Sequence, residues 1–397
     1  MATLKKYWLL PASLLAAAVC ALIAVLIIKA IDYHNNDFFT FWLAGRLVTI
    51  GGNPYSPAEW VAGHHQFGVT WIPNQAYVYP LPLSLLFAPL GWLPLKQAYI
   101  VWITLSSLMI LAGLLLLIIN RPDIRLGRIF LPLLVGTVFF RPAILTLFNG
   151  QISGWLFLLL VGAVILWEKG KWEWGSLLLP LLMLKPNLGA PMLALLGLWL
   201  LVKKRYRSIL VIVAGLLVLL IIGFLQDPRW VAEYWGIGNL KVAQNFGGSP
   251  TLWGLSYLAC QRKATCTTAV GGAASLILVA VFLWLILVRW KDLPPLTLVA
   301  LVSTVTLLVT PYTWTYDQLL LLFLIVDLTL KMGKDGRKFI LVSSWFLGLD
   351  FLFLLLLVFD TLLQVEIFNA IVPLVLLAVT YFIYKQINVK TKPDVVS

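Results

Sequence analysis

Asp37 is the residue whose surroundings best suit it to chemistry. It closes the polar run Asp32, Tyr33, His34, Asn35, Asn36, Asp37, which passes at once into Phe38, Phe39, Thr40, Phe41 and Trp42. A carboxylate at such an edge can act as a general base if it lies within hydrogen-bond reach of the hydroxyl it deprotonates. The plainer reading is a helix cap, because an aspartate ahead of an apolar helical run suits that position. Asp32 is the second choice for the base, although its place at the very end of the first apolar run favours an anchoring role.

Lys185 is the next such residue. Met183, Leu184 and Pro186 flank it inside an apolar run, where a charge costs about 2.5–3.5 kcal/mol on insertion scales. Such a lysine either snorkels to the interface or meets an anion, and a phosphate is the natural one. Arg46, Arg141, Lys241 and Arg262 are the basic residues that could share that phosphate. Gln151, Trp314, Tyr316 and Asp317, in polar turns, complete the candidate substrate-binding set. Trp42, Tyr55, Tyr79, Trp253 and Trp314 offer ring faces matched to the C–H face of a pyranose. His64 and His65 are adjacent and therefore point apart, and without a second spaced pair no metal site is expected. Phosphate-cradling glycine loops, dinucleotide fingerprints, a serine elbow and a zinc helix are all missing from the sequence. ATP or a nucleotide sugar is thus disfavoured as direct donor, and no cofactor is expected.

These residues must be positioned by membrane helices. Apolar residues make up 61% and charged residues 11% of the 397, against about 45–50% and about 25% in soluble domains. Runs such as 7–31, 98–119, 209–225, 275–288, 339–359 and 367–384 approach the length of a spanning helix and lack the alternation of barrel strands. The net charge of +13 does not point to nucleic acid. Most basic residues fall in short connections and at the termini, as cytoplasmic segments of a membrane protein require.

With the N-terminus cytoplasmic, charge parity puts loops of about residues 32–79 and 226–267 on the outer face, and the C-terminus back inside. Within the first loop, 38–50 reads as a short helix lying in the interface, stopped by Gly51-Gly52-Asn53-Pro54. The proline-rich stretch 79–94 reads as re-entrant. The run 176–202 reads as two short helices forming a V with Lys185-Pro186-Asn187 at its tip, because one straight span would put Lys203, Lys204, Arg205 and Arg207 outside. Cys260 and Cys266 fall on the outer side, where a disulfide can persist. The expectation is an all-α polytopic membrane protein, a single domain over 1–397, with about ten full spans plus the V.

In this order and spacing, several marks resemble the multispanning glycosyltransferases of the GT-C superfamily. They are Asp37-Phe38 with Trp42 and Gly45, Gly52-Asn53-Pro54-Tyr55, Tyr79-Pro80 with Pro82 and Pro89, Asn149-Gly150-Gln151, Lys185-Pro186, Ser249-Pro250-Thr251, and Thr310-Pro311 with Trp314. The likeness is to the bacterial polyprenol-phosphate-mannose-dependent alpha-mannosyltransferases and covers most of the chain. It implies a GT-C-type bundle of ten to thirteen spanning or re-entrant helices in the bacterial plasma membrane. It also implies inverting transfer of a hexose from a polyprenyl-phosphate sugar to a glycolipid or glycan acceptor at the outer face. Asp37 would be the base. The chain departs from that family at its last motif, where Thr310-Pro311 and Tyr316 stand in place of Ser-Pro and a histidine; Tyr316 or Asp317 would then meet the acceptor.

A lipid or glycan flippase is the rival reading, since broken helices and intramembrane charges also mark transport paths. The lack of an internal repeat and the crowding of polar residues toward one face favour the enzyme. A non-catalytic scaffold would not need carboxylates beside buried basic groups.

Overall fold

The computed structural model describes residues 2–69, 72, 74, 76–121, 126–289, 292–332, 337–363 and 365–390, with the backbone alone at 2–13, 126–128, 238–246, 289, 363 and 385–390. Among the described residues all regular structure is helical. The first helices are α1 (Ala2–Ala30), α2 (Asp37–Thr49), α3 (Pro57–Gln66), α4 (Leu81–Gly91), α5 (Leu95–Ile119) and α6 (Leu126–Phe139). Next come α7 (Arg141–Phe148), α8 (Ser153–Glu168), α9 (Trp172–Ser176), a 3-10 turn at Leu179–Leu184, α10 (Pro186–Val202), α11 (Tyr206–Gln226) and α12 (Trp230–Asn245). The chain ends with α13 (Leu252–Ala259), α14 (Ala264–Trp284), α15 (Pro295–Val309), a 3-10 turn at Thr315–Leu321, α16 (Leu322–Met332), α17 (Lys338–Leu363), a 3-10 turn at Ile367–Ala370 and α18 (Ile371–Lys390).

Five stretches are long and apolar enough to cross a membrane, namely 95–119, 206–226, 264–288, 338–362 and 367–384. Most of the other spans expected from the sequence are apolar helices of 10–17 residues. Prolines explain several of these short lengths. Pro80 and Pro82 open α4, Pro186 opens α10, and Pro311 follows the end of α15, each removing a backbone donor or restricting the residue before it. The chain is a multi-pass, all-helical membrane protein.

Two compact units share the chain, residues 1–123 with 142–244, and residues 124–141 with 245–397. The first is built on α2. Asn36 caps it, its side chain accepting the Phe39 N–H, and Gly51 at φ 76° takes the chain out of it. Ten of its 13 residues are buried, so it is a core helix and not the interfacial one expected from the sequence. The reason is visible in its composition, because between Asp37 at its start and Arg46 near its end no charge interrupts a run that is apolar but for Thr40. Two glycines let α4 cross it at backbone contact. A Cβ on Gly45 would lie 2.6 Å from the Phe87 carbonyl carbon, and one on Gly91 would lie 2.6 Å from the Arg46 nitrogen.

The second unit has α15 at its centre, buried from Leu296 to Leu308. A polar cluster the sequence reading missed pins three of its helices together. Asp327 accepts from Thr297 at 2.7 Å and from Tyr384 at 2.9 Å, and pairs with Lys331 at 3.1 Å. Its only sequence signal is an aspartate and a lysine four residues apart in the apolar helix α16. Cys260 and Cys266 form a disulfide across a turn in which Gln261 and Arg262 adopt φ of 51° and 64°.

Candidate functional site

The polar residues that converge in the first unit are Asp37, Gln151 and Lys185. Asp37 is the first residue of α2, not its cap: Asn36 fills that role, which removes the plainest alternative for Asp37. A carboxylate in the first turn is favoured by the helix dipole. The half-buried Asp37 accepts from Gln151 Nε2 at 2.7 Å through Oδ2. Among the described residues its other oxygen has no hydrogen-bond donor.

Gln151 is delivered by the turn Asn149-Gly150-Gln151. Gly150 stands at φ 60°, and a Cβ there would lie 2.5 Å from Phe38 Cβ and 2.7 Å from Tyr99 Cε2, so both conformation and space call for glycine. The Phe38 N–H, one of the donors a helix start leaves unsatisfied, donates to Asn149 O at 3.0 Å. Trp102 Nε1 donates to Gly150 O at 2.7 Å. Asn36 Nδ2 donates to the Tyr99 hydroxyl at 2.9 Å, which in turn donates to Phe148 O. The Phe38 ring stacks on Tyr99 with centroids 4.5 Å apart. The start of α2 and the turn before α8 are thereby held as one piece.

Lys185 comes from a third direction. Proline at 186 disfavours helical geometry in the residue before it, and Lys185 duly sits at φ −128° and ψ 79° between the 3-10 turn and α10. A break in the run 176–202 is expected from the sequence at Lys185-Pro186-Asn187, and the 3-10 turn and α10 meet there. The side chain is 2% exposed, and Nζ donates to Gln151 Oε1 at 3.0 Å. A carboxylate able to accept a proton thus stands one amide away from a buried cation.

Arg46 is toward the far end of α2 from Asp37, nine residues or about 13 Å of helix rise away. It donates to Gly91 O at 3.2 Å and stacks on Trp42 and Phe67. Trp42 is a fully buried core residue donating to Leu93 O, and Tyr55 is buried with its hydroxyl donating to Tyr79 O. Asp32 is exposed and closes its own turn by accepting the His34 N–H. The side chain of Lys241 lies outside the described residues. Arg262 is exposed in the disulfide-closed turn.

Arg141, Trp314, Tyr316 and Asp317 belong to the second unit. Arg141 pairs with Asp360 at 3.1 Å and reaches Asn369 Oδ1 at 3.4 Å. Asn369 donates to Asp360 and to Thr315, and Thr315 donates through both N–H and hydroxyl to Glu366. Burial pushes the Glu366 carboxyl up, while the Thr315 bonds and the Arg141 charge oppose that shift. Asp317 is buried, accepting from the Thr313 hydroxyl at 2.7 Å. Tyr316 is buried and Trp314 half-buried.

Also in the first unit, a cavity of about 540 Å³ is lined by residues that include Asn53, Tyr55, Glu59, Arg229 and Glu233. Asn53 Nδ2 donates to Glu233 at 3.1 Å, a pairing 180 residues apart that no local pattern announces.

His64 settles as a core histidine. It is buried, Nδ1 lies 2.8 Å from Trp60 O, and the rings of Phe39 and Trp60 flank it at 5.0 and 4.9 Å. Among the described residues no cluster suits a metal. Burial holds the imidazole below its ordinary pKa, with the Trp60 carbonyl opposing. A histidine depressed in the folded state contributes stability above its unfolded pKa, about 6.5, which is lost as pH falls below it. Thermal unfolding midpoints in detergent should therefore drop between pH 7 and 5 by more in the native chain than in His64→Phe. Equal drops would show that His64 takes no part in the acid sensitivity.

The sequence profile of glycosyltransferase family 87 matches residues 77–311, more than half of the chain. No curated protein and no solved structure matches it. The profile spans Gln151 and Lys185, and Asp37, to which they are tied, lies ahead of it. This membrane protein belongs to glycosyltransferase family 87.

Proposed function

We propose that the chain transfers a hexose, mannose in the closest reading, from a polyprenyl-phosphate donor to the hydroxyl of a glycolipid or glycan acceptor, with inversion and with Asp37 as general base. The observation that carries this reading is the Asp37 carboxylate, with one oxygen that meets no donor among the described residues, held one amide from the buried Lys185. The acceptor oxygen forms a bond to the anomeric carbon as the bond from that carbon to the phosphate oxygen breaks. Asp37 takes the acceptor's proton, and the lipid phosphate leaves with the bonding electron pair.

No proton need be given to that leaving group, because a phosphate monoester is stable as an anion. What the site must supply is positive charge near the developing negative charge, often the largest catalytic contribution. Lys185 supplies it in this reading; Arg141, Lys241 and Arg262 remain expected donor ligands from sequence, and Arg46 is already occupied within the core. The charge distribution of the connections favours cytoplasmic termini and a reaction at the outer face of a bacterial plasma membrane.

Donor competition tests the proposal. Purified chain in detergent should release or transfer labelled mannose from polyprenyl-phosphate mannose and leave GDP-mannose untouched. Turnover of the nucleotide sugar without the lipid donor would refute it.

A further inference from the structure

Gln151 joins two groups of opposite hydrogen-bonding character. A lysine Nζ can only donate, and an ionised carboxylate can only accept. Lys185 Nζ lies 3.0 Å from Gln151 Oε1, the Ile152 N–H lies 3.4 Å from the same oxygen, and Gln151 Nε2 lies 2.7 Å from Asp37 Oδ2. Two donors on Oε1 and an acceptor at Nε2 fix the direction of the amide by chemistry. Gln151 is fully buried, so water does not compete for these bonds.

We infer that Gln151 is a positioning residue that holds Oδ2 of Asp37, leaves Oδ1 as the one oxygen able to take the acceptor proton, and passes the polarity of Lys185 to the carboxylate. This role is built on the reading of Asp37 as base. An amide whose oxygen accepts from a cation is a stronger donor at its nitrogen, which tightens its hold on Oδ2 of Asp37. Lys185 therefore assists the base through Gln151 in addition to any contact with the donor phosphate.

The other charged and titratable groups around Asp37 cannot substitute for this pair. Tyr99 faces it from α5 with its hydroxyl engaged by Asn36 and Phe148. Lys96 on α5 and Lys29 at the end of α1 are exposed, and α4 carries no titratable residue. In its own loop Asp32 is exposed and His34 lies beside Asp32. His64 on α3 packs against Phe39, two residues further along α2.

The test is the pH dependence of sugar release to water from polyprenyl-phosphate mannose, a readout that needs no identified acceptor. Gln151→Glu keeps the shape and the bond to Lys185 but sets a carboxylate against Asp37, so the two share one proton and ionise as a pair at higher pH. The acid limb of the profile should move up by about one pH unit or more. Gln151→Leu should lower the rate at every pH by about tenfold or more, because the hydrogen bond that orients the carboxylate is lost. An unmoved limb in a folded Gln151→Glu protein overturns the inference. If that variant does not fold, Gln151→Leu decides: a folded protein that releases sugar at the wild-type rate overturns the inference equally. Should Asp37→Asn retain full release, the reading of the base itself has failed, which is a different result from a silent Gln151.

Discussion

Asp37→Asn leaves the chain folded and removes sugar transfer. The substitution keeps an acceptor oxygen for Gln151 Nε2, now 2.7 Å from Asp37 Oδ2, and Asn36 still caps α2. Stability should change by no more than about 1 kcal/mol, the net scale of one hydrogen bond. An amide cannot take the acceptor's proton, so the rate should fall by about 10²–10⁴, the range that general base catalysis contributes. Transfer of labelled mannose from polyprenyl-phosphate mannose, measured beside the thermal unfolding midpoint, separates the two effects. An equally active variant would remove Asp37 from the reaction. A variant that unfolds would make it a structural residue of the α2 start.

Gly150→Ala should damage fold and activity together. At φ 60° any Cβ costs about 1–2 kcal/mol, and here it also meets Phe38 Cβ at 2.5 Å and Tyr99 Cε2 at 2.7 Å. Both neighbours are fully buried and stacked on each other, so neither can give way without moving α2 or α5. Overpacking of this kind adds about 1–3 kcal/mol, for a total of about 2–5 kcal/mol. Because Phe38 lies next to Asp37 and Gly150 next to Gln151, the strain falls on the hydrogen bond that holds the base. Protein that survives purification should show a rate lowered by about tenfold or more, since small misplacements at a reacting centre are costly. Wild-type stability and rate would show that the turn adapts and that its geometry does not set the site.

The sequence made Asp37, Gln151 and Lys185 legible one at a time, but not as a group. Each stood out because a polar side chain sat in an apolar stretch. Their meeting depends on contacts 114 and 34 residues apart, which no local periodicity encodes. The break at Lys185 was readable because lysine before proline is a local steric fact. The burial of α2 was missed for the opposite reason: whether an almost wholly apolar helix lies against lipid or against α4 depends on Gly45 and Gly91, glycines with no partner visible in sequence. Arg141 drew notice as a possible phosphate ligand, yet its counterion Asp360 lies 219 residues away. The disulfide was open to expectation because charge parity put Cys260 and Cys266 on the outer side, and the structure forms it across six residues.

One measurement bears most directly on the claim that the Asp37, Gln151 and Lys185 group is the transfer centre. It is the structure, by electron cryomicroscopy, of the full chain bound to a non-transferable polyprenyl phosphonate analogue of the mannose donor. The anomeric carbon should lie across a single hydroxyl-sized gap from Asp37, leaving about 2.6–3.2 Å from the unengaged carboxylate oxygen to an attacking oxygen. A donor sugar bound with its anomeric carbon beyond the reach of Asp37, even through one water, would contradict the account.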